Sequence, residues 1–393
     1  LFWNSGAATL PLPGAPPHGL LVVIESTCPE YLLLMAAALP GEPPGVTSFV
    51  PKAYNTTKEG VLLKKYLVFL LVAALVCGSA AWCAPKVEKV RLSEVVRSVF
   101  YAPLYVAINK GFFKEQGIDI DLSTAWGTDK SAAALVSGSV DVSLMGPEGA
   151  LYVYNQGAAN YLVAFAQLTK GDGSFLMGRK PAPDFDWKDL RGKTIIGARK
   201  GGMPEMVLEY VLKQNGINIQ KDVNILQNIQ FTATSGAFQS GVGDYIALFE
   251  PTVSVLEKEG IAHVVASFRV ASGVVPYTVF HARKDMITKK AGMLQRFTNA
   301  VYKGEIWVQN HSAAQIVENI QSFFPDTDKD IVARAVKRYQ AQDTWNQNPI
   351  LTKAAFSRLQ DIIESAGELQ KRVPYERMVN TKFAVQAIKD VQE

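Results

Sequence analysis

FYAPLYVAINKGFFKEQGIDIDLSTAWGTDK, residues 100–130, changes its periodicity twice. Leu104, Val106, Ala107, Phe112 and Phe113 recur near helical spacing, and Gly117 stands where a left-handed residue ends a helix. Ile118-Asp119-Ile120-Asp121-Leu122 then alternates with period two, as a strand does when one face is covered. The stretch ends on Trp126-Gly127, an aromatic beside the residue that best tolerates a close approach of backbone to another group. Helix, strand and ligand-sized loop in this order make up half of a strand–helix–strand unit.

The same rhythm runs outward in both directions. Val90, Leu92 and Val95 mark a strand before the quoted stretch. After it come a helix over 130–136 with Gly138 beyond, a strand over 140–144, and a helix over 148–155 with Gly157 beyond. Strands alternating with helices at this spacing give a mainly parallel sheet with helices on its faces. Residues 161–169 and 174–178 read as two more strands. A polar, proline-bearing passage, Arg179 to Asp184, then breaks the rhythm, and the scheme restarts: strand 193–198, helix 204–214 closed by Gly216, strands 245–249 and 262–267. Residues 276–281 look like a strand returning to the first sheet. Met293, Phe297, Val301 and Val308 mark one long helix, and the rest is helical. The expected organisation is an α/β chain of two lobes, with 85–180 and 272–393 in the first and 181–271 in the second. Crossings are expected near 179–184 and 269–275, with Gly273 at one hinge.

Open parallel sheets bind ligands at the carboxyl ends of their strands. The loops there carry Phe100-Tyr101, Trp126-Gly127, Gly146-Pro147-Glu148, Gly201-Gly202-Met203 and Glu250-Pro251, which makes these the candidate ligand-binding residues. Phe100 and Tyr101 either stack on a ligand or cover the sheet end. Gly201-Gly202 ahead of Pro204 either offers backbone N–H groups to an anion, with Arg199 and Lys200 close by, or forms a plain turn. Glu250 either accepts a ligand N–H or caps the helix that follows it. His263, His281 and His311 have no metal-ligand spacing and read as ordinary surface or strand residues. No Ser-His-Asp arrangement, phosphate loop or paired-carboxylate motif stands out, so a binding protein without cofactor or metal is expected rather than an enzyme.

The first 84 residues differ from the rest. Nine of the chain's 20 prolines fall in residues 1–51, with no amphipathic period. Residues 1–60 read as a disordered leader or as sequence that is not native; Lys58-Glu59-Gly60 can be encoded by a string resembling a ribosome-binding site. KKYLVFLLVAALVCGSAAWCAP (64–85) has the charged start, apolar middle and small-residue exit of a secretory signal, with Ser79 and Ala81 suited to cleavage. Residues 61–84 are therefore expected to export the body, either cleaved or kept as an anchor. All three cysteines, Cys28, Cys77 and Cys83, lie in this leader, which excludes disulfides and thiolate chemistry from the body. A net charge of +4 with no basic run gives no ground for a nucleic-acid partner.

YAPLYVAINKGFFKEQGIDIDL (101–122), SGSVDVSLMGPEGAL (137–151), DLRGKTIIGARKGGMPE (189–205) and DYIALFEPTVSVLEKEG (244–260) together resemble, in order, the solute-binding proteins of ABC importers for nitrate, taurine, alkanesulfonates and thiamine pyrimidine precursors. The resemblance covers about residues 87–310. It implies the two-lobed type II periplasmic-binding-protein fold, hinge closure on a small solute, and delivery of that solute by a monomer to an ABC permease and ATPase. It implies no catalysis. A eukaryotic branch of that family makes pyrimidine by consuming its own histidine and carries a cysteine-rich motif absent from this body. A ligand-sensing partner of a membrane receptor is the rival binding role. For the solute, aromatic residues and acids in the expected cleft favour a planar nitrogen heterocycle such as a pyrimidine over an alkanesulfonate, taurine or nitrate.

Overall fold

The computed structural model describes residues 87–391; the leader and signal readings for residues 1–84 lie outside the described residues. Among those described, ten strands form two five-stranded sheets. In chain order they are β1 (Glu88–Glu94), β2 (Ile118–Thr124), β3 (Val142–Met145), β4 (Leu162–Thr169), β5 (Ser174–Gly178), β6 (Thr194–Ile196), β7 (Asn224–Leu226), β8 (Tyr245–Phe249), β9 (His263–Ser267) and β10 (Thr278–Arg283). The first sheet has the order β2-β1-β3-β10-β4 and the second β7-β6-β8-β5-β9.

Each sheet has four strands running one way and a fifth running against them. In the first, β1 pairs in parallel with β2 (Glu88 opposite Ile118) and β3, while β10 is antiparallel to β3 and β4. In the second, β6 is parallel to β7 and β8, and β5 is antiparallel to β8 and β9. The reversed strand is in each case the first one after the chain crosses between sheets. It leaves from the carboxyl end of one parallel strand and enters the other sheet at that same end, so it must run backward.

This corrects the expected boundary near residue 180. Ser174–Gly178 belongs to the second sheet, so the first crossing is Lys170-Gly171-Asp172-Gly173, and the polar passage 179–184 is a loop of the second lobe. Polarity was the wrong signal because the crossing is itself buried from Gly171 to Gly173. Its glycines are there for contact: a Cβ on Gly173 would lie 2.5 Å from the Phe100 ring, and one on Gly171 would lie 1.9 Å from Arg269 Cδ. The second crossing runs over 273–277, after the helix Phe268–Ser272. A second correction concerns the tail. The helices Ala291–Gln309 and Lys382–Asp390 pack on the first lobe, but Lys353–Ser365 packs against Met203–Gln214 of the second.

The opening stretch holds one further difference. Two helices, Ala102–Asn109 and Phe112–Glu115, replace the single one expected, because Gly111 takes φ 79° and breaks the ladder; Gly117, at φ 66°, then turns the chain into β2. Phe113, Phe165, Phe280 and Phe297 form the aromatic centre of the first lobe, with the Phe297 ring 5.0 Å from Phe113, 5.7 Å from Phe165 and 5.2 Å from Phe280. Each buried ring contributes about 1.5–3 kcal/mol. No helix among the described residues is long and apolar enough to cross a membrane.

Candidate functional site

The carboxyl ends of β1, β2, β3, β6 and β8 open on one cavity of about 610 Å³ between the lobes. Of the residues expected there, Phe100, Tyr101, Trp126, Gly127, Gly146, Glu148, Gly201, Gly202 and Met203 line it. Pro147 and Glu250 do not. Pro147 takes the first position of the helix Pro147–Asn155, where its missing N–H costs nothing.

Glu250 is consumed by structure. It is buried, and its carboxylate accepts the Ser254 N–H (3.0 Å), the Ser254 hydroxyl (2.9 Å) and Arg338 Nη1 (2.5 Å). It caps the helix Thr252–Lys258 from outside the cavity lining. Burial raises its pKa, against the pull of Arg338.

Glu148 is the acid the cavity keeps. It lies in the first turn of its helix with its carboxyl folded over Gly146, so close that a Cβ on Gly146 would sit 2.0 Å from Oε2. Oε1 accepts the Met203 N–H at 3.3 Å from the opposite lobe. Oε2 is buried and makes no full hydrogen bond, with the Thr128 hydroxyl near enough to pull the carboxyl's pKa down. Burial pushes the carboxyl up to about 7, opposed by its own N–H, the Met203 N–H and the Thr128 hydroxyl. Near neutral pH such a group can both donate and accept a hydrogen bond.

The N–H groups of the glycine loop have partners in this structure. The Gly201 N–H donates to Glu205 Oε2 (3.2 Å), the Gly202 N–H to the Arg199 carbonyl (3.2 Å), and the Met203 N–H to Glu148. Arg199 itself is held by both carboxylate oxygens of Asp129 (3.3 and 3.2 Å), and Lys200 pairs with Glu368 at 3.6 Å. Both cation pairs are solvent-exposed, and such pairs are worth only about 0–1 kcal/mol.

The remaining wall is aromatic. Phe100 is 1% exposed, its ring 5.7 Å from Tyr101, 5.9 Å from Phe249, 5.7 Å from Tyr277 and 5.5 Å from Tyr339. The Phe100 carbonyl accepts Trp345 Nε1–H at 2.9 Å. Trp126 is 41% exposed and holds φ 58°, a left-handed conformation that costs a non-glycine residue about 1–3 kcal/mol and is found at ligand clamps. Gly127 beside it cannot be replaced freely, since a Cβ there would fall 2.5 Å from Asp129 Oδ1.

Sequence reasoning missed Asp129, Tyr152, Phe231 and Tyr277 in the lining. Tyr152 follows Glu148 by four residues on one helix, so helical spacing could have found it; its hydroxyl donates to the Gly201 carbonyl across the cavity at 2.9 Å. Phe231 and Tyr277 sit in segments whose patterns carry no such signal. Of the histidines, His281 is buried in β10 with Nδ1 2.9 Å from the Val279 carbonyl, and burial lowers it to about 4. His311 stacks on Trp307 at 3.8 Å. No group of three or more His, Cys, Asp or Glu among the described residues is arranged to hold a metal ion.

Two mixed α/β lobes joined by two crossings around a cavity at their strand ends define the periplasmic-binding-protein architecture. Residues 99–314 match the NMT1/THI5-like family. The chain is 45% identical over 317 residues, 81% of its own length and 94% of the relative's, to the "Putative binding protein YtlA" of Bacillus subtilis (strain 168). The chain belongs to the NMT1/THI5-like family. Its fold is similar to the alkanesulfonate-binding protein SsuA of Xanthomonas axonopodis pv. citri bound to MOPS (18% identity, TM-score 0.62, 75% of this chain and 98% of that one). It is likewise similar to the periplasmic nitrate-binding protein NrtA of Synechocystis PCC 6803 (14% identity, TM-score 0.63, 79% and 90%).

Proposed function

We propose that this chain is an extracytoplasmic receptor of an ABC importer that closes its two lobes on a planar, nitrogen-bearing solute, neutral or cationic, such as a pyrimidine. The observation that carries the reading of the solute is Glu148. A buried carboxyl in a cavity walled by Phe100, Tyr101, Trp126 and Tyr277 suits a flat ring whose edge carries both N–H donors and ring-nitrogen acceptors, and in its ionised form disfavours a sulfonate or nitrate. Aromatic stacking adds roughly 0.5–1.5 kcal/mol per pair beyond the area buried. The receptor role is supported by family, fold and the relative's description. Binding without turnover is the expected behaviour.

The second reading, an alkanesulfonate, taurine or nitrate receptor, is favoured by the solutes named for the proteins of similar fold. A thermal-shift panel of aminopyrimidines, flavin-like rings, taurine, alkanesulfonates and nitrate separates the two. Stabilisation by heterocycles alone is expected; stabilisation by taurine or nitrate with none by the rings would reverse the choice of solute and leave the receptor role standing. Conversion of the bound compound would end the receptor reading.

A further inference from the structure

One helix of the first lobe meets the glycine loop at two points. Glu148 accepts the Met203 N–H at 3.3 Å, and one turn further along the Tyr152 hydroxyl donates to the Gly201 carbonyl at 2.9 Å. Two adjacent glycines leave the backbone more freedom than any other pair, so contacts must hold Gly201-Gly202 in place. Gly201 takes φ 79° and donates its N–H to Glu205 Oε2 at 3.2 Å. Glu205 is 1% exposed and lies outside the cavity lining. It stands third in the helix Met203–Gln214, from where an acid ordinarily reaches back to the N–H of the capping residue. Here the capping residue is Gly202, whose N–H goes to the Arg199 carbonyl. Glu205 reaches one residue further, to the turn itself.

Glu205 is fixed in its turn from outside the helix. Gln227, just beyond β7, donates Nε2 to Glu205 Oε1 at 2.6 Å and lies 3.4 Å from Glu209 Oε1. Glu209 accepts from Lys213 Nζ at 3.2 Å, and Lys213 also donates to the Ser365 carbonyl of the tail at 2.6 Å. Both oxygens of Glu205 therefore serve the protein. We propose that Glu205 is a positioning residue of the binding site: from behind the cavity it holds the Gly201 turn, and through that turn it keeps the Met203 N–H against Glu148. The carboxyl that meets the solute is then set by a second carboxyl that does not.

The inference rests on this cavity being the binding site and not on the solute class. Its test needs no solute, so the thermal-shift panel judges the receptor reading separately. Glu205→Ala removes both charge and acceptor, while Glu205→Gln removes the charge and keeps an acceptor for Gly201. In Glu205→Ala the Gly201 and Met203 amides should exchange hydrogen roughly 2- to 10-fold faster than in Glu205→Gln, the worth of one hydrogen bond. The Glu148 carboxyl, followed by carbon NMR, should also titrate about 0.5–1 pH unit higher in the alanine variant, because the Met203 N–H favours its charged form. A Glu205 that only capped its helix would speed exchange in the first turn and leave the Glu148 titration alike in the two variants; that result overturns the proposal. So do equal exchange rates. Should Glu205→Ala fail to fold, Glu205→Asp decides, since it keeps the acid and withdraws it by one methylene. Gly201 and Met203 should then exchange faster than in the parent chain, and parent-like rates overturn the proposal.

Discussion

Met203, at the start of a second-lobe helix, donates its backbone N–H to Glu148 Oε1, in the first turn of a first-lobe helix, across a 3.3 Å gap. This contact between the lobes serves one oxygen of a buried acid, while the other makes no full hydrogen bond. Glu148→Ala removes both. It should weaken binding of the aminopyrimidine giving the largest thermal shift by about 10- to 100-fold, in line with ~1.5–3 kcal/mol for a hydrogen bond to a charged group. Titration calorimetry measures it. Unaltered affinity would move the recognition elsewhere, and a gain in taurine affinity would point to the sulfonate reading.

Stability should fall as pH rises from acid to mildly alkaline. Burial raises Glu148 and Asp172 to about 7, raises Glu205 with help from the neighbouring Glu209, and raises Glu305, whose two oxygens are buried without partners. A carboxyl raised in the folded state binds protons that the unfolded chain has released. Its stabilising share is complete below its ordinary value near 4 and is lost as pH climbs through the folded value. Each such group contributes ~1.4 kcal/mol per pH unit within its window. His281, lowered to about 4, has the opposite sign: its share is present above about 6.5 and lost as pH falls through 4. Above pH 6.5 the acids act alone. Urea melts should therefore show falling stability from pH 6.5 to 8, with a shallower slope in Glu148→Gln. A rise over that interval contradicts these assignments.

The alternation of Ile118 to Leu122, the glycines at 117 and 138 and the returning strand near 276–281 made the two-sheet plan legible, because periodicity reports which face of an element is buried. The crossing at 170–173 was not legible. Its two glycines exist to admit Phe100 and Arg269, residues distant in sequence, and no local pattern encodes that. The cleft loops were legible from their place after strands, while the fate of each side chain was decided by partners elsewhere. Glu148 and Glu250 both follow a strand end and open a helix. Arg338, from the tail, neutralises one of them, and nothing neutralises the other.

That contrast gives a paired test. Arg338 holds Glu250 at 2.5 Å and Glu257 at 2.7 Å. Arg338→Ala strands a buried carboxylate and should cost about 3–5 kcal/mol of folding stability, read as a lower urea midpoint. Glu250→Gln, which keeps the cap, should cost less and should leave heterocycle affinity within about twofold, well short of the ~1.4 kcal/mol that marks a tenfold change. A tenfold loss of affinity in Glu250→Gln would restore it to the binding site.

Gly304 marks a close helix crossing. A Cβ there would lie 2.3 Å from the Pro103 carbonyl oxygen and 3.0 Å from Ala107 Cβ. Alanine ordinarily favours a helix interior over glycine by about 1 kcal/mol. Here the backbone contact cannot yield without parting Ala102–Asn109 from Ala291–Gln309, and overpacking costs about 1–3 kcal/mol. Gly304→Ala should thus destabilise the fold despite its better propensity. A raised melting temperature would show that the two helices separate freely.

Trp126 combines a strained backbone with a large, part-exposed ring at the cavity wall. Its backbone holds φ 58°, a strain of the kind met at ligand clamps, and a contact of the ring with the ligand is the expectation tested next. Trp126→Ala keeps the strain and loses the ring; Trp126→Gly loses both. Melting should then rank Gly at or above Ala, by up to about 1 kcal/mol. Both variants should bind the selected aminopyrimidine about 2- to 10-fold more weakly, the worth of one aromatic contact, and Trp126→Phe should recover most of that loss. If Trp126→Ala binds as tightly as the parent chain, the ring only shields the cavity mouth and the stacking platform must be Phe100, Tyr101 and Tyr277.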